Sequence, residues 1–292
     1  MTATERVGLL GLGRMGLPIA RGLLSAGYAV VAWDPVPGRR ELAATAGVTS
    51  AVSAADAAAS ADILITVLPG TPELEAAMVE ALPALRPGSL WLDLTSTDPR
   101  IAESLAARAR ERDVAAVGAP MGGGVQTAES RALRFFAGGA VERARPLLES
   151  LGTIDHVGTG IGDGYTAKLI ANLLWFGQAV AVTEALLLGQ SLGIAPERLR
   201  QSLAASAGGS VFLDEYVGHL FDGDYLVSFG IERVVEELDT LASLARAHSV
   251  PFELSELVAR LHREAFARFG AIDGELLAAK LLEERAGRDL RR

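Results

Sequence analysis

The sequence predicts an α/β fold in two halves, a doubly wound and mainly parallel sheet followed by an all-helical domain. Three observations carry this expectation. Short apolar runs alternate with helix-patterned segments up to about Gly158. A glycine-rich turn joins the first such run to the first helical segment. From about Gly164 onward strand signals give way to helical periodicity. The chain has 292 residues, half of them hydrophobic, which suffices for two cores without staples.

The elements follow in order. Val7 to Leu10 is a short apolar strand ending in glycines, and Met15 to Ser25 has helical spacing with Gly27 as its stop. Tyr28 to Trp33 is rich in β-formers and ends at Asp34. Asp62 to Leu68, Ser89 to Leu94 and Val114 to Val117 are further strands. Pro72 to Ala81 and Pro99 to Glu111 are the helices between them. Strands of this kind, spaced by helices, belong to a parallel sheet covered on both faces. Residues 1–162 are assigned to the sheet domain and 163–292 to the helical domain, which opens with a long helix over 164–192. Pro196 then fits a helix N-terminus.

Composition excludes several classes of function. There is no cysteine, hence no disulfide framework, thiolate metal site or cysteine nucleophile, and a reducing, cytoplasmic setting is expected. The net charge of −9 disfavours nucleic-acid binding, and the arginines near the C-terminus are interrupted by acids. No signal peptide is expected, since Met1 to Glu5 is polar and glycines break the following apolar run. Leu169 to Leu188 is long and apolar, but it contains Asn172, Gln178, Thr183 and Glu184. It is therefore expected as a buried helix of a soluble protein and not as a membrane span. The four histidines are scattered, and no metal site is expected.

The strongest local signal is Gly11-Leu12-Gly13-Arg14-Met15-Gly16, between a predicted strand and a predicted helix. Gly11 permits the tight turn, Gly13 lets the backbone approach a pyrophosphate, and Gly16 lets the helix pack close to the sheet. The helix N-terminus adds N–H donors and the positive dipole end. Asp34, at the end of the next strand, is placed to accept the ribose hydroxyls of an adenosine. The pattern predicts a Rossmann-type domain. A carboxylate there repels a 2′-phosphate and favours NAD, while the nearby Arg39 and Arg40 keep NADP possible.

A second constellation is the glycine cluster from Gly158 to Gly164 followed by Lys168 and Asn172, which share one helical face. A lysine in so apolar a segment is either a proton donor with a pKa lowered by partial burial or a side chain snorkelling from a helix end. Composition alone does not separate these.

These motifs resemble the β-hydroxyacid dehydrogenase family, which includes 3-hydroxyisobutyrate dehydrogenase. The resemblance runs through nearly the whole chain. Gly8 to Gly16 looks like the family's opening cofactor motif, and Leu68-Pro69 like its adenosine-side loop. Asp93 to Pro99, with Thr95 and Ser96, looks like the segment passing near the nicotinamide. Ala119-Pro120-Met121-Gly122-Gly123-Gly124 lies where the family has its substrate loop, and Gly160 to Asn172 resembles its catalytic helix. The resemblance implies hydride exchange with a small β-hydroxy acid or semialdehyde. Lys168 then exchanges the proton, Asn172 orients the reacting groups, and Ser96 with Gly122, Gly123 and Gly124 contacts the substrate. It also implies a homodimer or homotetramer.

Several positions depart from the family pattern. Gly122 stands where the family usually has a serine, and Gly118 where it usually has an acid. The downstream segment reads Arg131-Ala132-Leu133 where Gly-Thr-Leu is common. Glu236-Glu237 follows Phe229 where Lys-Asp is usual, so Glu236 facing the pocket would make a small anion less welcome. Two alternatives are carried: an NADP-dependent reductase of a larger aldehyde, ketone or imine, and a non-catalytic dinucleotide-binding sensor. Lys168 argues against an imine reductase, and Lys168 with Asn172 against a sensor.

Overall fold

The computed structural model describes residues 5–227 and 229–292, in two compact units, Met1–Lys168 and Leu169–Arg292. The division falls inside the long helix, whereas the sequence places it just before that helix.

The first unit carries strands β1 (Arg6–Leu10), β2 (Ala29–Trp33), β3 (Thr49–Ser50), β4 (Ile63–Thr66), β5 (Leu90–Asp93), β6 (Ala115–Gly118), β7 (Met121–Gly122), β8 (Leu133–Gly139) and β9 (Gly152–Gly158). Helices α1 (Gly16–Ser25), α2 (Pro37–Thr45), α3 (Ala54–Ser60), α4 (Thr71–Ala84), α5 (Pro99–Arg110), α6 (Val125–Glu129) and α7 (Arg145–Glu149) connect them. The sheet order is β3-β2-β1-β4-β5-β6-β8-β7, with β9 beside β8. Strands β1 to β6 pair in parallel, and β8 runs antiparallel to β6 and β7.

The period of two along each strand explains the double layer. Val7 and Leu9 of β1, Ile63 and Ile65 of β4, and Leu90 and Leu92 of β5 pack with Ile19 and Leu23 of α1. The intervening Leu10, Leu64 and Trp91 face the opposite core, against α3, α4 and α5. The alanine-rich α3 comes so close that a Cβ on Gly8 would lie 2.7 Å from the carbonyl oxygen of Ala57. Caps set the starts of two helices: Ser53 accepts from the Asp56 N–H before α3, and Asp98 from the Arg100 N–H before α5, where Pro99 is the first residue.

Strands β3, β7, β8 and β9 are additions to the sequence reading. β8 ends in Gly138-Gly139, which reads as a loop in isolation. A Cβ on Gly138 would lie 2.4 Å from the Gly160 carbonyl oxygen, so that glycine serves a close backbone approach inside the sheet.

Helix α8 runs over Ile161–Ser191, starting before the predicted position and absorbing Gly162 and Gly164. The second unit contains most of it, then α9 (Pro196–Ala204), a π-helical turn (Phe212–Tyr216), α10 (Val217–Phe221), α11 (Ile231–Ala247), α12 (Glu253–Phe269) and α13 (Leu277–Ala286). Its core gathers Phe176, Leu186, Phe212, Phe221, Leu238, Leu261 and Leu277. Among the described residues α8 is the one helix long and apolar enough to cross a membrane, by length and composition. Only 33% of its most apolar window is buried within the chain, so the expectation of a buried helix holds for one side of it. Ile170, Leu174 and Leu188 are exposed on the other.

Candidate active site

The fingerprint turn lies between β1 and α1. Gly11 has φ +97°, and a Cβ there would sit 2.1 Å from the Val67 carbonyl oxygen. A Cβ on Gly16 would lie 2.0 Å from the Gly11 carbonyl oxygen, so α1 starts against the turn itself. Gly13 faces open space: the one atom within 4 Å of a Cβ there is Nη1 of Arg39, at 3.9 Å. Leu12 is buried, Arg14 exposed and Met15 half-buried, and no side chain caps α1. A bare helix N-terminus behind an open glycine cradle fits a dinucleotide pyrophosphate.

Asp34 is 2% exposed. Its Oδ2 accepts the Leu12 N–H at 2.8 Å, and its Oδ1 the Val36 N–H at 2.9 Å. Nη1 of Arg39 is 3.4 Å from Oδ2, and Arg40 donates to the Asp34 backbone oxygen. The carboxylate thus clamps the fingerprint turn to the end of β2. That is a job the sequence pattern does not announce.

Two loops expected at the cofactor meet. The Leu68 N–H donates to Oγ1 of the buried Thr95 at 3.1 Å, beside exposed Pro69 and half-buried Ser96. Thr71 and Thr97 join at 2.9 Å between their hydroxyls, one step further along the same two segments. The substrate-loop glycines follow β6. Gly122 pairs with Arg134 in the sheet, Gly123 has φ +106°, and Gly124 precedes α6 with nothing within 4 Å of a Cβ. A Cβ on Gly122 would meet Phe136 at 3.4 Å, an ordinary contact, so space alone does not demand the glycine. The Gly118, Gly138 and Gly164 backbones crowd together at the root of α8; a Cβ on Gly164 would lie 2.2 Å from the Phe136 carbonyl oxygen.

Lys168 and Asn172 are both half-buried, one turn apart on α8. In the helical unit, Nδ2 of Asn172 donates to Oε2 of Glu237 at 2.6 Å, and Glu237 is 7% exposed on α11. Glu236, the residue singled out from the sequence, pairs instead with Arg233 on its own helix at 2.9 Å. The Glu-Glu doublet offered the right neighbourhood, and the rotation of α11 decides between its members. Trp175 continues the Asn172 face of α8, with Phe212 and Tyr216 edge-on to it at 5.2 and 4.6 Å. Arg134 forms an exposed pair with Asp155, and Arg131 lies by Gly22 of α1.

Sequence reasoning also passed over Tyr165 and Asp93 as a pair. Tyr165 is fully buried, and its hydroxyl donates to Oδ2 of the fully buried Asp93 at 2.8 Å. Burial pushes the Asp93 carboxyl up to about 6 against the pull of its hydrogen-bond donors. The signal was the acid at the carboxyl end of β5 next to a polar turn.

Known proteins align with both units. Residues 6–161 match the NAD binding domain of 6-phosphogluconate dehydrogenase, and 162–282 the NAD-binding family of NADP-dependent 3-hydroxyisobutyrate dehydrogenase. The chain is 32% identical to the NAD-dependent L-serine dehydrogenase of Pseudomonas aeruginosa, over 89% of this chain and 91% of that protein. It is 30% identical to the L-threonate dehydrogenase of Cupriavidus necator, over 86% and 87%. The structure of Mycobacterium tuberculosis 3-hydroxyisobutyrate dehydrogenase with L-serine superposes with a TM-score of 0.87 at 27% identity, covering 95% of this chain and 99% of that one. With the fingerprint turn, the Lys168–Asn172 helix and likeness along both units in agreement, the chain belongs to the β-hydroxyacid dehydrogenase family of NAD(P)-dependent oxidoreductases.

Proposed function

We propose that the protein oxidises a small β-hydroxy acid, or reduces the matching semialdehyde, with NAD preferred and Lys168 exchanging the proton. The observation that carries this is the pairing of Lys168 and Asn172 on one face of α8, in a chain whose fingerprint turn is built for a dinucleotide. Similarity to serine, threonate and 3-hydroxyisobutyrate dehydrogenases supports the substrate class.

The residues divide the work as follows. The turn Gly11, Leu12, Gly13, Arg14, Met15 and Gly16 would hold the pyrophosphate at the α1 terminus, on N–H groups other than those of Gly11 and Leu12, which donate to Trp33 and Asp34. Asp34, Leu68 and Pro69 would border the adenosine, and Thr95 and Ser96 the nicotinamide. When bound, the nicotinamide supplies the hydride acceptor. In the loop Gly122, Gly123 and Gly124, the acid group of the substrate falls to the N–H groups of Gly123 and Gly124, because Gly122 is paired with Arg134 in the sheet, and Ser96 is assigned a further substrate contact. Lys168 takes the hydroxyl proton as the carbonyl forms, and returns one in reduction. Glu237 holds the Asn172 amide by accepting from Nδ2, and Asn172 is assigned the orienting role. Glu236, balanced by Arg233, adds little net charge at its position.

The test is initial-rate spectrophotometry with NAD⁺ and NADP⁺ on a panel of β-hydroxy acids and β-hydroxy amino acids. Lys168→Ala should lower kcat by about 10²- to 10⁴-fold with cofactor binding retained. Full turnover in that variant would overturn the assignment.

We also propose that the exposed apolar side of α8 packs on a second copy of the chain, giving a homodimer or homotetramer. Ile170, Leu174 and Leu188, each at least 45% exposed, support this, since water-exposed aliphatic stripes favour association.

A further inference from the structure

The departure at Gly118 has a counterpart in the fold. Gly118 of β6 pairs in register with Asp93 of β5. A Cβ at Gly118 would lie 2.4 Å from the ring of Tyr165, so that ring fills the space any side chain at 118 would occupy. The Tyr165 hydroxyl then reaches Asp93 Oδ2 at 2.8 Å. Oδ1 of Asp93 accepts from Oγ1 of Thr66 at 2.6 Å and from the Thr95 N–H at 3.0 Å. Thr66 accepts in turn from Nε1 of Trp91 at 3.0 Å, and Thr95 from the Leu68 N–H at 3.1 Å. One carboxylate therefore ties the ends of β4 and β5, the Thr95–Ser96 turn and the first turn of α8. Lys168 lies one helical turn beyond Tyr165.

A buried carboxylate is a poor way to fasten three elements if fastening is its only role, because an apolar group of similar size is ordinarily no less stabilising. What the acid adds is direction. Ionised, it is acceptor only, and it receives all its donors at fixed angles. Protonated, one oxygen becomes a donor, and a bond to Thr66, Thr95 or Tyr165 must reverse or break.

We propose that Asp93, acting through Tyr165, is a positioning residue that in its ionised form sets the height and rotation of the Lys168 turn relative to the Thr95–Ser96 turn. This rests on the assignment of Lys168 as the proton-exchanging group. The groups bonded to Asp93 are Tyr165 from α8, Thr66 from β4 and Thr95 from the turn after β5, with Trp91 of β5 bonded to Thr66 behind them. Tyr165 is the titratable one of these, and burial beside Asp93 raises its phenol well above 10, so it stays neutral. The Asp93 carboxyl, pushed up to about 6, then titrates by itself in the working range.

The experiment compares wild type, Tyr165→Phe and Asp93→Asn. Three readouts are taken: the pH profile of kcat, NAD⁺ affinity by fluorescence titration, and the pH dependence of the Trp91 indole N–H resonance, assigned with Trp91→Phe. In wild type, kcat should fall as pH drops through about 6, and the indole resonance should titrate with the same midpoint. Tyr165→Phe removes a donor that favours the charged form, so both midpoints should move up. Its kcat should drop on the order of tenfold, with NAD⁺ affinity unchanged, because a small displacement of the proton-exchanging group is felt in the chemical step. Asp93→Asn should flatten the acid limb and the indole titration. Wild-type midpoints and kcat in Tyr165→Phe, or an acid limb retained in a folded Asp93→Asn, would overturn the proposal. If no hydroxy acid turns over, the dehydrogenase reading fails, and the indole midpoints alone decide: equal values in wild type and Tyr165→Phe overturn the positioning role.

Discussion

Arg39 is the side chain at which the preference between NAD and NADP can be tested. Its guanidinium is half exposed and 3.4 Å from a carboxylate that is itself committed to the Leu12 and Val36 N–H groups. Such an exposed pair contributes little to stability, yet a 2′-phosphate in its place would draw the same guanidinium in a charge-assisted contact. Arg39→Ala is therefore expected to raise KM for NADP⁺ about tenfold and leave KM for NAD⁺ nearly unchanged. Equal changes for both cofactors would show that Arg39 only supports the turn. Asp34 and Glu237 illustrate the limits of reading residues one at a time. Asp34 was legible as the acid after the second strand, but its bond to the fingerprint turn was not. Glu237 was legible only as the neighbour of Glu236, because which of two adjacent acids faces Asn172 depends on helix rotation.

At the scale of elements, the root of α8 is held by glycine. Gly138 and Gly164 allow strand and helix backbones to meet with no side chain between them, and Gly118 leaves room for the Tyr165 ring. Gly164→Ala would drive a Cβ to 2.2 Å from a backbone oxygen that cannot swing away. The expected loss is about 1–3 kcal/mol, read from the midpoint of urea unfolding, with kcat falling because Lys168 rides on the displaced turn. Gly38→Ala, in α2 with nothing within 4 Å, is the control and should be neutral or stabilising by up to about 1 kcal/mol. The predicted strands and helices of the central parallel sheet appear close to their expected bounds, because apolar runs and caps are local signals. β8 was missed because its glycines mark a tertiary approach and not a loop. α8 begins early for the same reason.

For the whole molecule, the two units respond oppositely to acid. In the first, Asp93 is raised to about 6, above its unfolded value of 3.8. Its stabilising protonation is complete below 3.8 and is lost as pH rises through about 6. In the second, burial lowers His262 to about 4 from 6.5. Its contribution is present above 6.5 and is lost as pH falls through about 4. Each shift is worth about 3 kcal/mol. Calorimetry from pH 6.5 down to 4 should therefore show the helical unit's transition falling while the sheet unit's holds or rises, and His262→Leu should remove the fall. Parallel shifts of both transitions would contradict this assignment. Light scattering across a dilution series checks the association proposed for α8. A dimer or tetramer that dissociates in Leu174→Glu is the expected result, and a monomeric wild type would sink it.

The sequence by itself determined the class of fold, the dinucleotide turn and the Lys168–Asn172 helix, because each is written in short-range spacing of glycines, apolar residues and charges, and its motifs carried the resemblance to the family. Tertiary structure alone decided that Asp34 clamps the turn, that Glu237 and not Glu236 holds Asn172, and that Tyr165 reaches Asp93 across the space Gly118 leaves open. Those choices join residues as far as 72 positions apart. They depend on strand register and helix rotation, which arise only when the elements pack.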